Sequence, residues 1–423
     1  MSKPQDPARA VAHKLLGEVL RERRALDEAR AGAEKLQPRE RAFAKRLVTT
    51  TLRRLGEIDE ILRRLLAKPL APRAAWVEDA LRLGVAQIAF LGIAPHAAVD
   101  ATVALVGANK PMRGLANAVL RRLAREGAPR DSNPARRNAA QWLWQSWCAA
   151  YGEDEARRIA LAHLAEPPLD LSVKGDAAAW AERLGGTVVL GSSVRLADPP
   201  SIETLPGHAE GAWWVQDAAA ALTARLFGPL AGREVLDLCA APGGKTASFA
   251  AAGARVVALD RSGPRLARLK TNLDRLSLSA EIVETDATIW EPGRRFDLIF
   301  LDAPCTATGT LRRHPDVQHI KTESDVARMA LVQRRLLARA LGWLAPGGTL
   351  VYAVCSLQPE EGPSQIAWAL EETGGIRRKP VSPAEIGGLV DGVTADGDLR
   401  TLPSHLADIG GLDGFYAARL VRD

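Results

Sequence analysis

The chain lacks several features that mark common classes of protein. None of its apolar runs approaches the length of a membrane-spanning helix, so no transmembrane segment is predicted. Residues 1–6 do not have the basic-then-apolar layout of a secretory signal peptide. The four cysteines (Cys148, Cys239, Cys305 and Cys355) are scattered, with no Cys-x-x-Cys pair for zinc or redox chemistry. These absences favour a cytoplasmic protein with free thiols and no bound metal.

Charge is distributed unevenly along an otherwise ordinary composition. With 423 residues, 47% hydrophobic and 25% charged, the chain should form two or three globular domains. Residues 1–130 contain 25 lysines and arginines against 14 aspartates and glutamates, a net of +11, whereas the whole chain carries +6. A basic N-terminal third favours a polyanionic partner such as nucleic acid, although surface arginines also serve as a solvated face.

The first 130 residues show apolar positions at helical spacing, and no strand pattern interrupts them. One predicted helix has a basic face that includes Lys45, Arg46 and Arg53, and the last helix ends with Arg121 and Arg122. The pattern predicts an all-helical bundle of about six helices. The predicted helices span residues 10–24, 39–55, 58–66, 77–91, 97–106 and 115–125.

A linker rich in Pro, Asp, Ser and Arg follows at residues 127–138. Residues 139–205 are mixed, with strands predicted over 169–173 and 186–196. From residue 234, short apolar runs alternate with helical segments, which is typical of a parallel, doubly wound sheet of the Rossmann type. The predicted strands of this sheet span residues 234–238, 255–260, 281–283, 296–302, 348–355 and 412–421.

The turn after the first of these strands, Cys239-Ala-Ala-Pro-Gly-Gly-Lys245, is where we expect a ligand. A strand, a glycine turn and a helix N-terminus form a nucleotide-type binding corner. The Gly-x4-Gly-Lys-Ser/Thr spacing of a phosphate-binding loop is absent, and so is the Gly-x-Gly-x-x-Gly of nicotinamide enzymes. Asp260 and Asp286 follow the next two strands, where they would face the ribose and the adenine edge. Asp302 ends the fourth strand, near the corner.

Two cysteine motifs follow the fourth and fifth strands. They are Asp302-Ala-Pro-Cys305-Thr-Ala-Thr-Gly and Val354-Cys355-Ser-Leu-Gln-Pro-Glu-Glu. If these strands are neighbours, both thiols lie over the same crevice as a methyl donor. Carbon 5 of cytosine is a poor nucleophile in the aromatic ring, but a thiolate adding at carbon 6 makes it carbanion-like and able to take a methyl group from a sulfonium. A nearby cation or helix N-terminus should favour that thiolate.

These motifs resemble those of the RNA 5-methylcytosine methyltransferases of the RsmB/Sun (Fmu) and Nop2/NSUN family. The N-terminal run resembles the NusB-like RNA-binding domain in Pro-Arg-Glu-Arg-Ala (38–42), Pro-His-Ala-Ala-Val-Asp (95–100) and Gly-Leu-Ala-Asn-Ala-Val-Leu-Arg-Arg (114–122). The resemblance covers essentially the whole chain and points to the bacterial RsmB branch, which acts on 16S ribosomal RNA. It implies a NusB-like domain over 1–133, a linker or small α/β subdomain over 134–210 and a Rossmann-like methyltransferase domain over 211–423.

The resemblance also implies roles for individual residues. Cys355 would be the nucleophile and Cys305 would help to release the product, while Asp302 would hydrogen-bond the target base and Lys245 would balance charge beside it. S-adenosylmethionine would be the cofactor and RNA the partner; no membrane is involved, and nothing calls for more than a monomer. The RNA contacts are expected at Arg121, Arg122, Lys45 and Arg46. The methyl-donor contacts are expected at Cys239, Ala240, Ala241, Pro242, Gly243, Gly244, Lys245, Asp260, Arg265, Asp286, Ala287 and Asp302.

Two alternatives remain open from the sequence. A DNA cytosine-5 methyltransferase uses the same adduct chemistry, but its nucleophile would be Cys305, and it would need neither the second cysteine nor a helical RNA-binding domain. A non-enzymatic RNA-binding assembly factor with a dormant methyltransferase body would fail to bind S-adenosylmethionine. The presence of every reacting group favours the enzyme.

Overall fold

The structure, a computed structural model, describes residues 6–29 and 32–423. They form two compact units. The first unit consists of the described part of residues 1–164 together with 313–322, and the second of 165–312 and 323–423. Residues 1–5, which carry most of the expectation about a signal peptide, lie outside the described residues. Within the described ranges, no helix combines the length and apolar character needed to span a bilayer.

Proline and asparagine residues set several helix starts in the first unit. Pro7, Pro95 and Pro134 occupy the first turn of a helix, where the missing N–H has no intrahelical partner to lose. The Asn109 side chain accepts a hydrogen bond from the Met112 N–H at 3.2 Å and so caps another helix. The helices are α1 (Pro7–Glu22), α2 (Pro38–Arg53), α3 (Leu55–Leu65), α4 (Ala75–Ala89), α5 (Pro95–Leu105), α6 (Lys110–Glu126), α7 (Pro134–Asn138), α8 (Gln141–Tyr151) and α9 (Glu153–Ala162).

The prediction of an all-helical N-terminal region is confirmed, and the six predicted helices correspond to α1–α6. One detail is wrong. Arg53 was expected on the basic face of α2, but it is 7% exposed, because the chain turns directly into α3 and the end of α2 packs inward. Lys45 and Arg46 on α2 and Arg121 and Arg122 on α6 are exposed.

The second unit begins with a small antiparallel sheet. It consists of β1 (Leu169–Val173), β2 (Thr187–Val189), β3 (Ser193–Leu196) and β4 (Trp213–Val215), in the order β2-β3-β1-β4, with α10 (Ala177–Leu184) between β1 and β2. The single strand predicted over 186–196 is wrong. It is a hairpin, because Leu190 and Gly191 adopt positive φ angles that reverse the chain.

A larger sheet carries the Rossmann-like pattern. Its strands are β5 (Glu234–Leu238), β6 (Arg255–Asp260), β7 (Glu281–Glu284), β8 (Phe296–Asp302), β9 (Leu344–Val354), β10 (Ile376–Arg378), β11 (Leu399–Arg400) and β12 (Tyr416–Arg422). The strand order is β10-β12-β9-β8-β5-β6-β7, and β11 also pairs with β12. The helices preceding and between these strands are α11 (Ala218–Arg225), α12 (Gly244–Ala251), α13 (Gly263–Arg275), α15 (Glu323–Trp343) and α16 (Pro363–Glu372).

Both faces of β5 are covered, which explains its nearly continuous apolar run. Val235 belongs to the apolar cluster on one face, and Leu236 and Leu238 belong to the cluster on the other. The parallel strands β6 and β7 extend the sheet on one side of β5, and β8 and β9 extend it on the other. Successive strands are thus added on opposite sides of the β5–β8 boundary, which creates a crevice at the carboxyl ends of these two strands, the usual ligand position in such sheets.

The final strand departs from the prediction of a wholly parallel sheet. Instead of a parallel strand over 412–421, the chain forms β12 over Tyr416–Arg422, antiparallel to β9 with Tyr416 opposite Val354. A parallel strand beside β9 would need a crossover connection, usually helical. Here, β12 follows the short strand β11 through a loop and pairs antiparallel with it as well. The sheet is therefore mixed.

A short segment late in the sequence belongs to the helical unit. Residues 313–322 contain the helix α14 (Val317–Ile320), which contacts α1. The Leu26 N–H donates to Asp316 at 2.9 Å, and a His319 ring nitrogen lies 3.0 Å from the Leu52 carbonyl oxygen. These contacts join residues about 270 to 290 positions apart in the sequence, so helical periodicity contains no sign of them.

Candidate active site

The turn after β5 is held in an unusual backbone conformation. Cys239 has a φ of 60° and Gly243 a φ of 103°, both in the left-handed region. A Cβ on Gly243 would lie 2.7 Å from the Leu269 side chain, so that position needs glycine for space as well as for φ. The Ala241 N–H donates to Asp260 at 3.2 Å, and Arg265 donates to the Ala241 carbonyl oxygen. Asp260 on β6 and Arg265 on α13, both predicted from the sequence as site residues, therefore hold the turn in place through hydrogen bonds to Ala241.

Five of the predicted cofactor contacts line a cavity of about 190 Å³ beside this turn: Cys239, Asp260, Arg265, Asp286 and Ala287. Its other walls include the apolar side chains Met329, Val332 and Leu336. A larger, more open cavity of about 730 Å³ lies elsewhere in the second unit, and no predicted site residue lines it.

The two carboxylates of this cavity differ in their surroundings. Asp260 is buried, and it accepts hydrogen bonds from the Ala241 and Ser262 N–H groups. Asp286 accepts from the N–H and hydroxyl of Thr288, both at 2.8 Å, and these bonds hold its pKa below the ordinary value. Asp286 is therefore an ionised acceptor at neutral pH.

Lys245 and Asp302 form an ion pair where α12 begins and β8 ends. The Lys245 Nζ lies 2.7 Å from Asp302 Oδ2 and 5.2 Å from the centre of the Phe415 ring. Burial acts to lower the pKa of Lys245, but the charge and the hydrogen bond of Asp302 outweigh it and raise the pKa. A thiolate at Cys355 would raise the pKa of Lys245 further.

The two cysteine motifs meet because β8 and β9 are neighbours, with Asp302 paired to Ala353. The Sγ atoms of Cys305 and Cys355 are 3.5 Å apart, and both side chains are partly buried free thiols. The hydrogen bond to Cys355, together with burial, raises the pKa of Cys305 well above its ordinary value. Cys305 therefore holds its proton at neutral pH.

The loop that carries Cys305 passes very close to the chain just before β12. The Gly309 N–H donates to the Cys355 carbonyl at 3.0 Å, and the Gly414 N–H donates to the Gly309 carbonyl at 2.8 Å. A Cβ at Gly309 would lie 1.9 Å from the Gly414 carbonyl oxygen. Glycine is therefore required for this close approach of two backbones.

Gly309→Ala is expected to destabilise the second unit by about 1–3 kcal/mol, because the backbones would have to separate. The matched control is Gly342→Ala on α15, where a Cβ meets nothing within 4 Å. That substitution should stabilise the helix by about 0.5–1 kcal/mol. Chemical denaturation of both variants measures the difference. If Gly309→Ala is as stable as the unmodified protein, the two backbones separate without a cost in folding free energy.

Asp237, in the middle of β5, is a buried carboxyl group in an otherwise apolar run. One oxygen accepts from the Thr246 hydroxyl at 2.6 Å, and the other has no partner among the described residues. Burial raises its pKa from the ordinary value to about 7, against the opposing effect of the Thr246 hydrogen bond.

Asp237→Asn is expected to raise the melting temperature progressively more between pH 5 and pH 8. The folded protein keeps the Asp237 proton up to about pH 7, whereas the unfolded chain releases it near about pH 4. Stability therefore falls as the pH rises through this window, and asparagine does not titrate. Thermal unfolding across the range measures the difference. The exposed Asp274→Asn is the control, and a constant difference for Asp237→Asn would contradict the expectation.

The four predicted RNA contacts lie in the first unit. Arg121 donates to Asn117 at 2.9 Å, and Arg122 pairs with Glu126 at 3.0 Å, both within α6. Lys45 and Arg46 lie on α2. The structure thus places the predicted catalytic residues in one unit and the predicted RNA-contacting residues in the other.

Comparisons with known proteins agree with this arrangement. Residues 224–421 match a family described as 16S rRNA methyltransferase RsmB/F, and residues 6–125 match the NusB family. The chain is 36% identical over 409 residues to ribosomal RNA small subunit methyltransferase B of Sodalis glossinidius, which covers 92% of this chain and 91% of that one. Its fold is similar to the crystal structure of PH0851, with a TM-score of 0.78 at 22% identity over 99% of both chains. It is also similar to NSun6 from Pyrococcus horikoshii with SFG, with a TM-score of 0.57 at 20% identity over 67% of this chain and 98% of that one.

Proposed function

The chain belongs to the 16S rRNA methyltransferase RsmB/F family, and we propose that it transfers a methyl group from S-adenosylmethionine to carbon 5 of a cytosine in 16S ribosomal RNA. The observation that carries this proposal is the pair of thiols 3.5 Å apart at the carboxyl ends of β8 and β9, where Asp302 at the end of β8 also pairs with Lys245. An aromatic carbon needs a nucleophile to activate it, and this crevice offers one.

The residues of the cavity suit the methyl donor. Asp260 and Asp286 supply carboxylate oxygens for ribose hydroxyls and an amino group, and the apolar wall containing Met329 and Leu336 suits a flat ring. The glycine turn from Cys239 brings backbone N–H groups to the carboxyl edge of the sheet. When bound, the sulfonium of S-adenosylmethionine supplies an electrophilic methyl group.

Cys355 is the proposed nucleophile. Its thiolate adds to carbon 6 of the cytosine, and carbon 5 then forms a bond to the methyl group while the sulfonium–methyl bond breaks. The proton on carbon 5 leaves to a base, and the bond between Cys355 and carbon 6 breaks to restore the ring. Lys245 supplies positive charge beside the Cys355 sulfur, and Asp302 accepts a hydrogen bond from the base.

Cys305 has a different role in this scheme. Because it keeps its proton, its S–H can donate to the Cys355 sulfur and stabilise that sulfur as it leaves carbon 6. A protonated thiol is a poor nucleophile. The raised pKa of Cys305 disfavours that thiol as the attacking group, which separates the proposal from the DNA-type arrangement.

The direct test uses S-adenosylmethionine with a labelled methyl group. Transcribed 16S RNA, small ribosomal subunits and their precursors are offered separately, and the RNA is digested to nucleosides for mass spectrometry. We expect the label in 5-methylcytidine. Label in another nucleoside, or no transfer to any of the three substrates, would overturn the proposal.

The helical unit is proposed to supply RNA affinity through its exposed basic groups. Reversing the charges in Arg121→Glu/Arg122→Glu is expected to weaken binding of 16S RNA by about tenfold or more at moderate salt, because two phosphate contacts are lost. Filter binding at two salt concentrations measures this loss and its salt slope. Arg73→Glu, an exposed arginine of the same unit, is the control. An equal loss in the control would show that affinity follows net charge alone.

A further inference from the structure

A buried carboxylate lies between the two cysteine loops. Glu361 ends a short 3₁₀ turn after β9, and its side chain is fully buried. One of its oxygens accepts from the Thr306 N–H at 2.9 Å and from Gln333 Nε2 at 3.1 Å. The other accepts from the hydroxyls of Thr306 and Ser356. The residue that follows each cysteine is therefore bound to the same carboxylate.

Further bonds extend this network to both ends of the cysteine loops. Gln333 Nε2, which donates to Glu361, also donates to the Pro304 carbonyl oxygen at 2.9 Å, just before Cys305. The Tyr352 hydroxyl, on β9, donates to the backbone carbonyl of Glu361 at 2.6 Å. Glu361 thus connects β9, the helix α15 and the two loops in which the thiols lie.

All the partners of the Glu361 carboxylate are neutral hydrogen-bond donors. A carboxylate has about four lone-pair sites, and four N–H or O–H donors fill them. Among the described residues, no lysine or arginine forms an ion pair with Glu361. Burial raises the pKa of Glu361 above its ordinary value, although the hydrogen bonds from Ser356, Thr306 and Gln333 act to lower it.

A buried carboxylate with no cation beside it is unusual for a position that serves only to fill the core. Burying a carboxylate without a cation is costly, and an apolar side chain of similar volume would often be as stable or more stable. A fully satisfied buried network instead fixes one arrangement of the segments that it joins. The segments joined here are the two loops that hold the sulfur atoms 3.5 Å apart.

We propose that Glu361 is a positioning residue that sets the distance and orientation of the Cys305 and Cys355 sulfurs by binding Thr306 and Ser356. It does not contact either sulfur or the substrate in this role. The effect on catalysis rests on the proposed function, but the effect on thiol geometry does not.

Two substitutions at Glu361 distinguish the hydrogen bonds that its carboxylate accepts from the space that its side chain fills. Glu361→Leu keeps much of the volume and removes every acceptor, so the four donors lose their common partner. Glu361→Gln keeps one oxygen for the Thr306 N–H and Gln333, and its NH₂ group can face the two hydroxyls, which can accept by rotating. Glutamine should therefore rescue much of what leucine loses. Glu360→Gln, at the exposed neighbouring position, is the matched control.

The first measurement does not depend on activity. Diamide, which is reduced to the hydrazine, oxidises the two thiols to a disulfide, and peptide mass spectrometry follows the rate of the Cys305–Cys355 linkage. We expect rapid linkage in the unmodified protein and the Glu360→Gln control, at least tenfold slower linkage in Glu361→Leu, and an intermediate rate in Glu361→Gln. Equal rates in folded Glu361→Leu and the unmodified protein would overturn the proposal.

Milder variants cover the case in which leucine prevents folding. Ser356→Ala and Thr306→Val each remove one hydroxyl donor and leave the carboxylate in place, and each should slow linkage several-fold. If neither does, the proposal is overturned.

Methyl transfer provides the second measurement. In Glu361→Leu, kcat should fall about 10- to 100-fold, while the KM for S-adenosylmethionine stays within twofold, because Glu361 does not line the cavity of the methyl donor. Altered linkage in a protein whose unmodified form makes no 5-methylcytidine would support the positioning role and reject the proposed function. A parallel loss of methyl-donor binding and kcat, with unchanged linkage, would count against the positioning role alone.

Discussion

Cys355→Ala is expected to abolish methyl transfer, by more than about 10³-fold, and to abolish the covalent complex with RNA. Without the sulfur nucleophile, carbon 5 of cytosine is not activated. Cys305→Ala should instead accumulate the covalent complex in the presence of S-adenosylmethionine, because the departing Cys355 sulfur loses the hydrogen bond that stabilises it. Denaturing gel electrophoresis of the protein with labelled 16S RNA measures both results.

The reverse pattern would contradict this assignment. A complex that requires Cys305 and persists in Cys355→Ala would make Cys305 the nucleophile and restore the DNA-type alternative. Cys148→Ala serves as the control, since that thiol lies on α8 in the helical unit. It should leave both the covalent complex and the rate of methyl transfer unchanged.

Asp302→Asn is expected to lower the single-turnover rate about 10²-fold at neutral pH, because a charged acceptor beside the base is lost. A second effect follows from Lys245. The charge and hydrogen bond of Asp302 raise the pKa of Lys245 against the opposing effect of burial. Without them the pKa falls, so the ammonium loses its proton at a lower pH. The alkaline limb of the pH–rate profile should therefore move to lower pH.

The control for this prediction lies on the same strand. Asp297, near the start of β8, is exposed, and Asp297→Asn should leave the rate and the alkaline limb where they are. If Asp302→Asn lowers the rate without moving the alkaline limb, the Lys245 ammonium is not required in the rate-limiting step.

The sequence predicted the strands around the site well for a physical reason. The strands β5, β6 and β8 have the predicted bounds, because each is a buried apolar run that a polar or glycine-rich turn ends abruptly. Parallel order then brings Asp260 and Asp302 to one edge of the sheet. The predicted proximity of Cys305 and Cys355 was conditional on β8 and β9 being neighbours, and the pairing of the two strands shows that they are.

Three other features of the structure could not be predicted from the local sequence. Glu361 reads as one acid in a polar motif, and its contact with Thr306 spans 55 positions of the chain. The direction of β12 depends on the connection that precedes it rather than on its composition. Asp237 stands in a strand pattern whether its carboxyl group is charged or neutral, and only burial determines its pKa.

The placement of residues 313–322 makes the helical unit discontinuous in sequence. The chain passes between the two units three times, after residues 164, 312 and 322. Cutting the chain once after residue 164 would therefore not yield a complete helical unit, since α14 would stay attached to the other fragment.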